Sequence, residues 1–278
     1  MLSAIDNTNL PDLSSDYTLS PDQISSFQRN GHILLRGVAA SDEVAVYHEI
    51  IRNAVERFNT EKRSLEERDT YAKAFLQVMN LWTRDESVRR FTLARRFGKI
   101  AADLMGVDGV RIYHDQALYK EPGGGRTPWH QDQHYWPLDT DNTITMWMPL
   151  VDVTSDMGTM SFASGSQVEG YLGDLPISDH SDDELKKFIE ARGYHTTNAG
   201  DMKAGDATFH TGWTLHGAPG NQSTVAREVM TIIYVADGVR VGKTDNANRE
   251  SDLRSWLPGL QPGDLVSSEL NPLVYARQ

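Results

Sequence analysis

The sequence predicts a mainly β fold flanked by helices, and three observations lead there. Helical, amphipathic stretches with capping residues fill the first hundred positions; short β-like runs broken by Gly, Pro, Asn and Asp begin near Gly109; a polar, irregular tail follows Val239. With 278 residues and 39% hydrophobic content the chain is long enough for a large core. All-β barrels of this size are often single domains, so one domain over 1–278 is expected: a helical part over about 20–105, a β core over about 109–237, and the tail.

Each element has a local reason. Ser20 offers an N-cap with Pro21 at the first helical position, and Gly31 ends that helix before the strand candidate Ile33-Leu34-Leu35. Ser41 is placed to cap a second helix, in which Val44, Tyr47, Ile51, Ala54, Val55 and Phe58 share one face. Asp85 is placed to cap a third, burying Val88, Phe91, Ala94, Phe97, Ala101 and Leu104. Strands are expected over 110–113, 116–119, 144–153, 207–210 and 225–235, joined by turn-forming segments such as Glu121-Pro122-Gly123-Gly124-Gly125 and Ala218-Pro219-Gly220-Asn221. These connections suit a sandwich or barrel. One helix interrupts them, 182–192, with Ser181 as its cap and Gly193 as its stop. In the tail Trp256, Leu257, Leu260, Leu265, Leu270 and Leu273 must pack somewhere, by default against their own chain, and a monomer or homodimer is expected.

Composition excludes whole classes of partner. The formal charge of -12 repels phosphate backbones and anionic lipid heads, so neither nucleic acid nor membrane is an expected partner. No run approaches the roughly 18 apolar residues of a spanning helix. The start, Met1 to Asp6, lacks a basic-then-apolar signal segment, and the end, Ala276-Arg277-Gln278, is no peroxisomal tripeptide. Cysteine is absent, which removes thiolate metal sites and cysteine nucleophiles and fits a reducing, cytoplasmic setting.

What remains for metal chemistry is His, Asp and Glu, and one constellation stands out. His130 and Asp132 lie two apart, so on an extended segment they project to the same side. His216 follows 84 positions after Asp132, and Arg227 lies 11 further on. Two imidazoles and one carboxylate are the ligand set of a non-haem iron(II) site with open positions. His134 competes, because a set of His130, His134 and His216 would suit zinc, but Pro137 argues that the strand ends before that residue. His210 reads as a hydrogen-bonded strand residue. Arg227 shares a largely apolar strand face with Val225, Val229, Thr231 and Ile233. A guanidinium there needs a partner, and a bidentate carboxylate is a suitable one, whether it belongs to the protein or to a bound co-substrate.

His130-Gln131-Asp132, His216 and Arg227, with their flanks, resemble the phytanoyl-CoA dioxygenase family of iron(II) and 2-oxoglutarate-dependent oxygenases. The likeness runs from Phe27-Gln28-Arg29-Asn30-Gly31-His32 through Trp129 to Leu138 and Thr159-Met160-Ser161-Phe162, then from Gly205-Asp206 to about Val235. It implies a double-stranded β-helix, the cupin-like jelly roll, and an enzyme using Fe(II), 2-oxoglutarate and O2. It also implies that His130, Asp132 and His216 hold the metal, Arg227 clamps the co-substrate, and Gln116, Trp147, Gln131 and Gln77 line its site. Asp132 favours hydroxylation over halogenation, since halogenating relatives replace this aspartate with a small residue. One departure stands: several relatives place a serine where this chain has Ala218, leaving Thr145 or Thr231 to supply a hydroxyl.

The expected substrate is a small, partly apolar organic molecule of secondary metabolism, facing His134, Trp136, Met160 and Trp213, with Tyr135 and Met148 as further walls. Two rival readings stay open at this level. One is a cupin-like isomerase or hydrolase that does not use 2-oxoglutarate; the other is a non-catalytic small-molecule binding protein.

Overall fold

The computed structural model describes residues 10–277, so the expectation for Met1 to Asp6 lies outside it, as does Gln278. Helix α1 (Pro21–Asn30) starts at Ser20, whose hydroxyl accepts from the Gln23 amide while the Gln23 side chain accepts from the Ser20 amide. It ends at Gly31, whose φ of 74° favours glycine. Strand β1 (His32–Leu35) follows, then helix α2 (Ser41–Phe58). The cap of α2 is Ala40, not Ser41; with no hydroxyl at the cap, the start is held from one side only, by the Glu43 carboxylate accepting from the Ala40 amide at 2.8 Å.

Before the third expected helix two short elements went unforeseen, helix α3 (Thr70–Ala74) and strand β2 (Leu76–Met79), because neither is long enough to show a period. The third expected helix is two, α4 (Glu86–Thr92), capped by Asp85, and α5 (Arg95–Met105). The chain bends at Leu93 and Ala94, and across the bend Phe91 and Phe97 meet edge-on at 5.2 Å.

Strand β3 (Gly109–Lys120) merges the two runs expected at 110–113 and 116–119, since buried His114 and Asp115 continue the ladder. After β4 (Thr127–His130) come β5 (Thr143–Pro149), shorter than expected, and β6 (Ser161–Ala163). Helix α6 (Asp179–Arg192) begins one turn earlier than expected: the cap is Ser178, whose hydroxyl accepts from the Ser181 amide at 3.0 Å. Then follow β7 (Thr196–Asn198), β8 (Ala207–Thr211), β9 (His216–Ala218) and β10 (Arg227–Ala236). Val225 lies before β10 and is 57% exposed, so it does not share the buried face of Arg227. The tail is not irregular throughout: it carries helix α7 (Ala247–Trp256) and strand β11 (Leu273–Ala276), which pairs with β3. Leu257 and Val266 of this tail are buried with Tyr113, Trp136 and Ile233, so the tail packs on its own chain.

Among the described residues the strands form two antiparallel sheets, one in the order β1-β8-β5-β10-β3-β11 with β2 also on β3, the other in the order β4-β9-β6-β7. From β3 to β10 the chain passes back and forth between them, which is the winding of a double-stranded β-helix. Side chains from both sheets, Trp147 and Val229 from one and Phe162 and Ala218 from the other, bury one another. On the outer face of the larger sheet, Tyr47, Ile51, Phe91 and Phe97 cover Ile112, Met146, Phe209 and Ile232. No helix among the described residues is long and apolar enough to cross a membrane.

Candidate metal centre

Between the sheets lies a cavity of about 530 Å³, and the candidate metal ligands line it. His130 closes β4 and His216 opens β9, and the two strands pair so that these histidines stand directly opposite, ring centroids 4.1 Å apart. Extended geometry at Gln131 swings Asp132 back to the same side, where a helical turn begins. The three ligand atoms lie within 4.8 Å of one another. Asp132 Oδ1 sits 3.4 Å from His130 Nε2 and 3.5 Å from His216 Nε2.

The imidazoles are oriented from behind. His130 Nδ1 lies 2.8 Å from the Pro128 carbonyl and His216 Nδ1 lies 2.9 Å from the Thr214 carbonyl. A carbonyl only accepts, so each Nδ1 carries the proton and each Nε2 keeps a lone pair for the cavity. Burial, reinforced by His216, pushes the His130 pKa down and so favours the neutral form that binds metals. Burial alone would raise the Asp132 carboxyl, but His216, His130 and His210 outweigh it and hold it well below the usual carboxylate range. Its outer oxygen, Oδ2, accepts from Thr145 Oγ1 at 3.0 Å and lies 3.3 Å from His210 Nε2. His210 therefore steadies the carboxylate from outside the ligand group.

Arg227, at the start of β10, is 1% exposed and lines the same cavity. Burial lowers its pKa to about 9. Its guanidinium lies over the Trp147 ring, 5.2 Å from the centroid, and Nη1 donates to the Gly158 carbonyl. Gly158 adopts φ 80°, and an added Cβ would collide with the Pro219 carbonyl oxygen, so glycine is required there. Arg227 Nε has no hydrogen-bond partner, and among the described residues no carboxylate pairs with this arginine. The internal ion pair considered from sequence is thus absent from the described chain.

The remaining expectations divide. Gln116, Gln77 and Trp147 line the cavity, with Gln77 Nε2 donating to Gln116 Oε1 and Tyr71 Oη donating to Gln77 Oε1 at 3.3 Å. Gln131 does not: its amide donates to the Gly170 and Trp213 carbonyls, both at 2.8 Å, because alternation points it away from its two neighbours. Trp136, Met160 and Tyr135 line the cavity. His134 turns instead toward Asn248 and Asp174, at 3.3 and 3.5 Å, and belongs to neither the ligand group nor the cavity wall. Trp213 also points elsewhere, its Nε1 donating to Asp141 at 2.7 Å. Met148 packs in the core beneath the helices. Ala218 is opposite Thr127, whose side chain lines the cavity, while Thr145 donates to Asp132 and Thr231 to the Gln116 carbonyl. Sequence reasoning missed a further part of the wall: Tyr71 from α3, Phe75 just after it, and Asp252 and Trp256 from α7, two helices too short or too polar to announce themselves.

Residues 27–229 match the model of the family described as phytanoyl-CoA dioxygenase (PhyH), most of the chain and all of the ligand set and Arg227. The chain belongs to the phytanoyl-CoA dioxygenase family. A probable alpha-ketoglutarate-dependent hypophosphite dioxygenase of Stutzerimonas stutzeri is 27% identical over 46% of this chain, and the chain matches less than half, 46%, of that relative's own length. The ectoine dioxygenase of Sphingopyxis alaskensis is 25% identical over 83% of this chain and 80% of its own. Among solved structures, the non-heme alpha ketoglutarate dependent carbocyclase SnoK from nogalamycin biosynthesis superposes with a TM-score of 0.74 at 23% identity, covering 92% of this chain and 96% of the other, and shows the shared jelly roll. As a PhyH family member the chain is a non-haem iron, 2-oxoglutarate-dependent dioxygenase. Its residues fit both groups: two imidazoles and a carboxylate converge, and a buried guanidinium has its Nε donor free for an anion.

Proposed function

We propose that this PhyH protein hydroxylates a small organic metabolite, with 2-oxoglutarate as co-substrate and succinate and CO2 as co-products. The observation that carries the reading is the pairing of the His130, Asp132 and His216 cluster with Arg227, a buried cation that no carboxylate of the described chain neutralises. In this reading His130, Asp132 and His216 hold iron(II), and the bound iron supplies the oxygen chemistry. The Pro128 and Thr214 carbonyls fix the histidine tautomers, and Thr145 and His210 fix the outer oxygen of Asp132, so Oδ1 remains the inner ligand atom. Arg227 holds the distal carboxylate of 2-oxoglutarate, with Gly158 aiming one arm of the guanidinium and Trp147 covering its face. Gln116 and Gln77 form the adjoining polar wall. Met160 and Trp147 give the cavity beside these groups an apolar wall that limits water there.

An anaerobic titration tests the assignment. Iron(II) and 2-oxoglutarate together should produce a visible charge-transfer band, and EDTA should abolish it. A protein that binds metal but shows no response to 2-oxoglutarate would instead be a cupin-like isomerase or hydrolase. A protein that binds both yet releases no succinate with oxygen and a panel of small organic molecules would be a binding protein.

A further inference from the structure

The cavity wall carries a second carboxylate, outside the candidate ligand group. Helix α7 contributes Asn248, Asp252 and Trp256 to the wall, and Asp252 and the candidate metal ligand Asp132 are the acidic residues among those that line the cavity. Asp252 Oδ2 accepts from Tyr113 Oη at 3.1 Å, and Trp256 also hydrogen-bonds to this carboxylate. Among the described residues no lysine, arginine or histidine forms an ion pair with it. Arg249, one turn earlier on α7, is engaged elsewhere: it pairs with Asp245 at 3.0 Å, donates to the His134 carbonyl, and stacks on Tyr171. Around the carboxylate the cavity wall is aromatic, with Trp256, Tyr135 and Tyr71, and the last two feel the charges of both Asp132 and Asp252.

A carboxylate that shares a cavity wall with aromatic residues suits a cation, which gains a charge-assisted hydrogen bond from the one and cation–π attraction where a ring face is offered. Charge balance points the same way. A divalent metal and Arg227 are offset by Asp132 and the dianionic co-substrate, so the charge left over in the loaded cavity is that of Asp252. We propose that the prime substrate is a small organic amine whose protonated nitrogen is held by Asp252, leaving a carbon of its skeleton directed at the metal end. The inference rests on the co-substrate reading above, which supplies the charge balance. Burial raises the Asp252 pKa to about 7, in keeping with a carboxylate that lacks a cation until ligand arrives.

Three probes of nearly one shape test it: cyclohexylmethylamine, cyclohexylmethanol and cyclohexanecarboxylate, titrated calorimetrically into the full chain loaded anaerobically with iron(II) and 2-oxoglutarate. The amine should bind at least about tenfold tighter than either other probe, the expected scale of one charge-assisted contact. In Asp252→Asn that preference should vanish, with the 2-oxoglutarate band retained as a control on folding. Equal or tighter binding of the alcohol or carboxylate, no detectable amine binding, or an unchanged amine affinity in Asp252→Asn overturns the amine assignment while leaving the co-substrate reading intact. If Asp252→Asn loses the band, the order of the three probes on the unmodified chain decides. Loss of the band in the unmodified chain overturns the co-substrate reading, and the amine assignment falls with it.

Discussion

Asp132 presents its two oxygens to different surroundings, and that asymmetry sets the expectations at the residue scale. Oδ1 faces two imidazole nitrogens, whereas Oδ2 is tied to Thr145 and His210. Asp132→Ala removes the ligand itself, and substrate-coupled succinate formation should fall to background; undiminished turnover would sink the triad. Thr145→Val keeps the shape and removes one orienting hydrogen bond, so iron(II) affinity should drop by roughly 10–100-fold, the usual cost of losing an outer partner. Arg227→Gln keeps hydrogen-bonding capacity but loses the buried charge. It should weaken 2-oxoglutarate by about 2–5 kcal/mol, read as the midpoint of the anaerobic absorbance titration, with iron binding little changed. The convergence of His130, Asp132 and His216 was legible because a metal needs a short list of atom types, and His-x-Asp on an extended segment delivers two of them to one side. Gln131 shows the same alternation from the other side, since its position between the ligands points it out of the cavity.

Elements were legible where a local signal had no rival. Ser20, Pro21 and Gly31 frame α1 as the sequence led one to expect, and Ser20→Ala should cost ~1 kcal/mol in urea unfolding. At α2 and α6 the expected serines, Ser41 and Ser181, lie inside the helices, and the caps are Ala40 and Ser178. Ala40 is exposed, extended at φ −71° and ψ 153°, and makes no side-chain cap. Ala40→Ser should therefore stabilise the protein by roughly 0.5–1 kcal/mol, and an unchanged or lower unfolding midpoint would contradict the assignment of the cap. Helix α7 gave little warning: its apolar row is confined to Leu253 and Trp256 in its last turns, with Leu257 and Leu260 beyond its end, and none of its own residues is fully buried. It is held by its ends and by single contacts such as Tyr113 with Asp252.

At the scale of the whole molecule, buried titratable groups make stability depend on pH with opposing signs. Burial, with a lesser push from His210, lowers His32 to about 4, where it stacks on Phe162 at 4.5 Å and hydrogen-bonds Ser164. The unfolded chain binds that proton near pH 6.5, so the contribution of neutral His32 is complete above that value and is lost as pH falls toward 4. Asp115 works the other way: burial raises it to about 7, so its contribution is present at low pH and is lost as pH rises through 7. The stability difference between the unmodified chain and His32→Gln isolates the first group, and should shrink by about 3 kcal/mol between pH 6.5 and 4 at ~1.4 kcal/mol per unit. A difference that stays constant across that range would show that His32 titrates normally. The sequence by itself determined the candidate ligand set and the buried arginine beside it, because residue identity, strand alternation and an arginine on an apolar row are properties of neighbouring residues. Only the tertiary structure decided what else surrounds it. The bend between α4 and α5, the turning away of His134 and Trp213, and the arrival of Asp252 and Trp256 all arise from contacts between residues far apart in the chain. Such contacts have no period, so packing alone selects them.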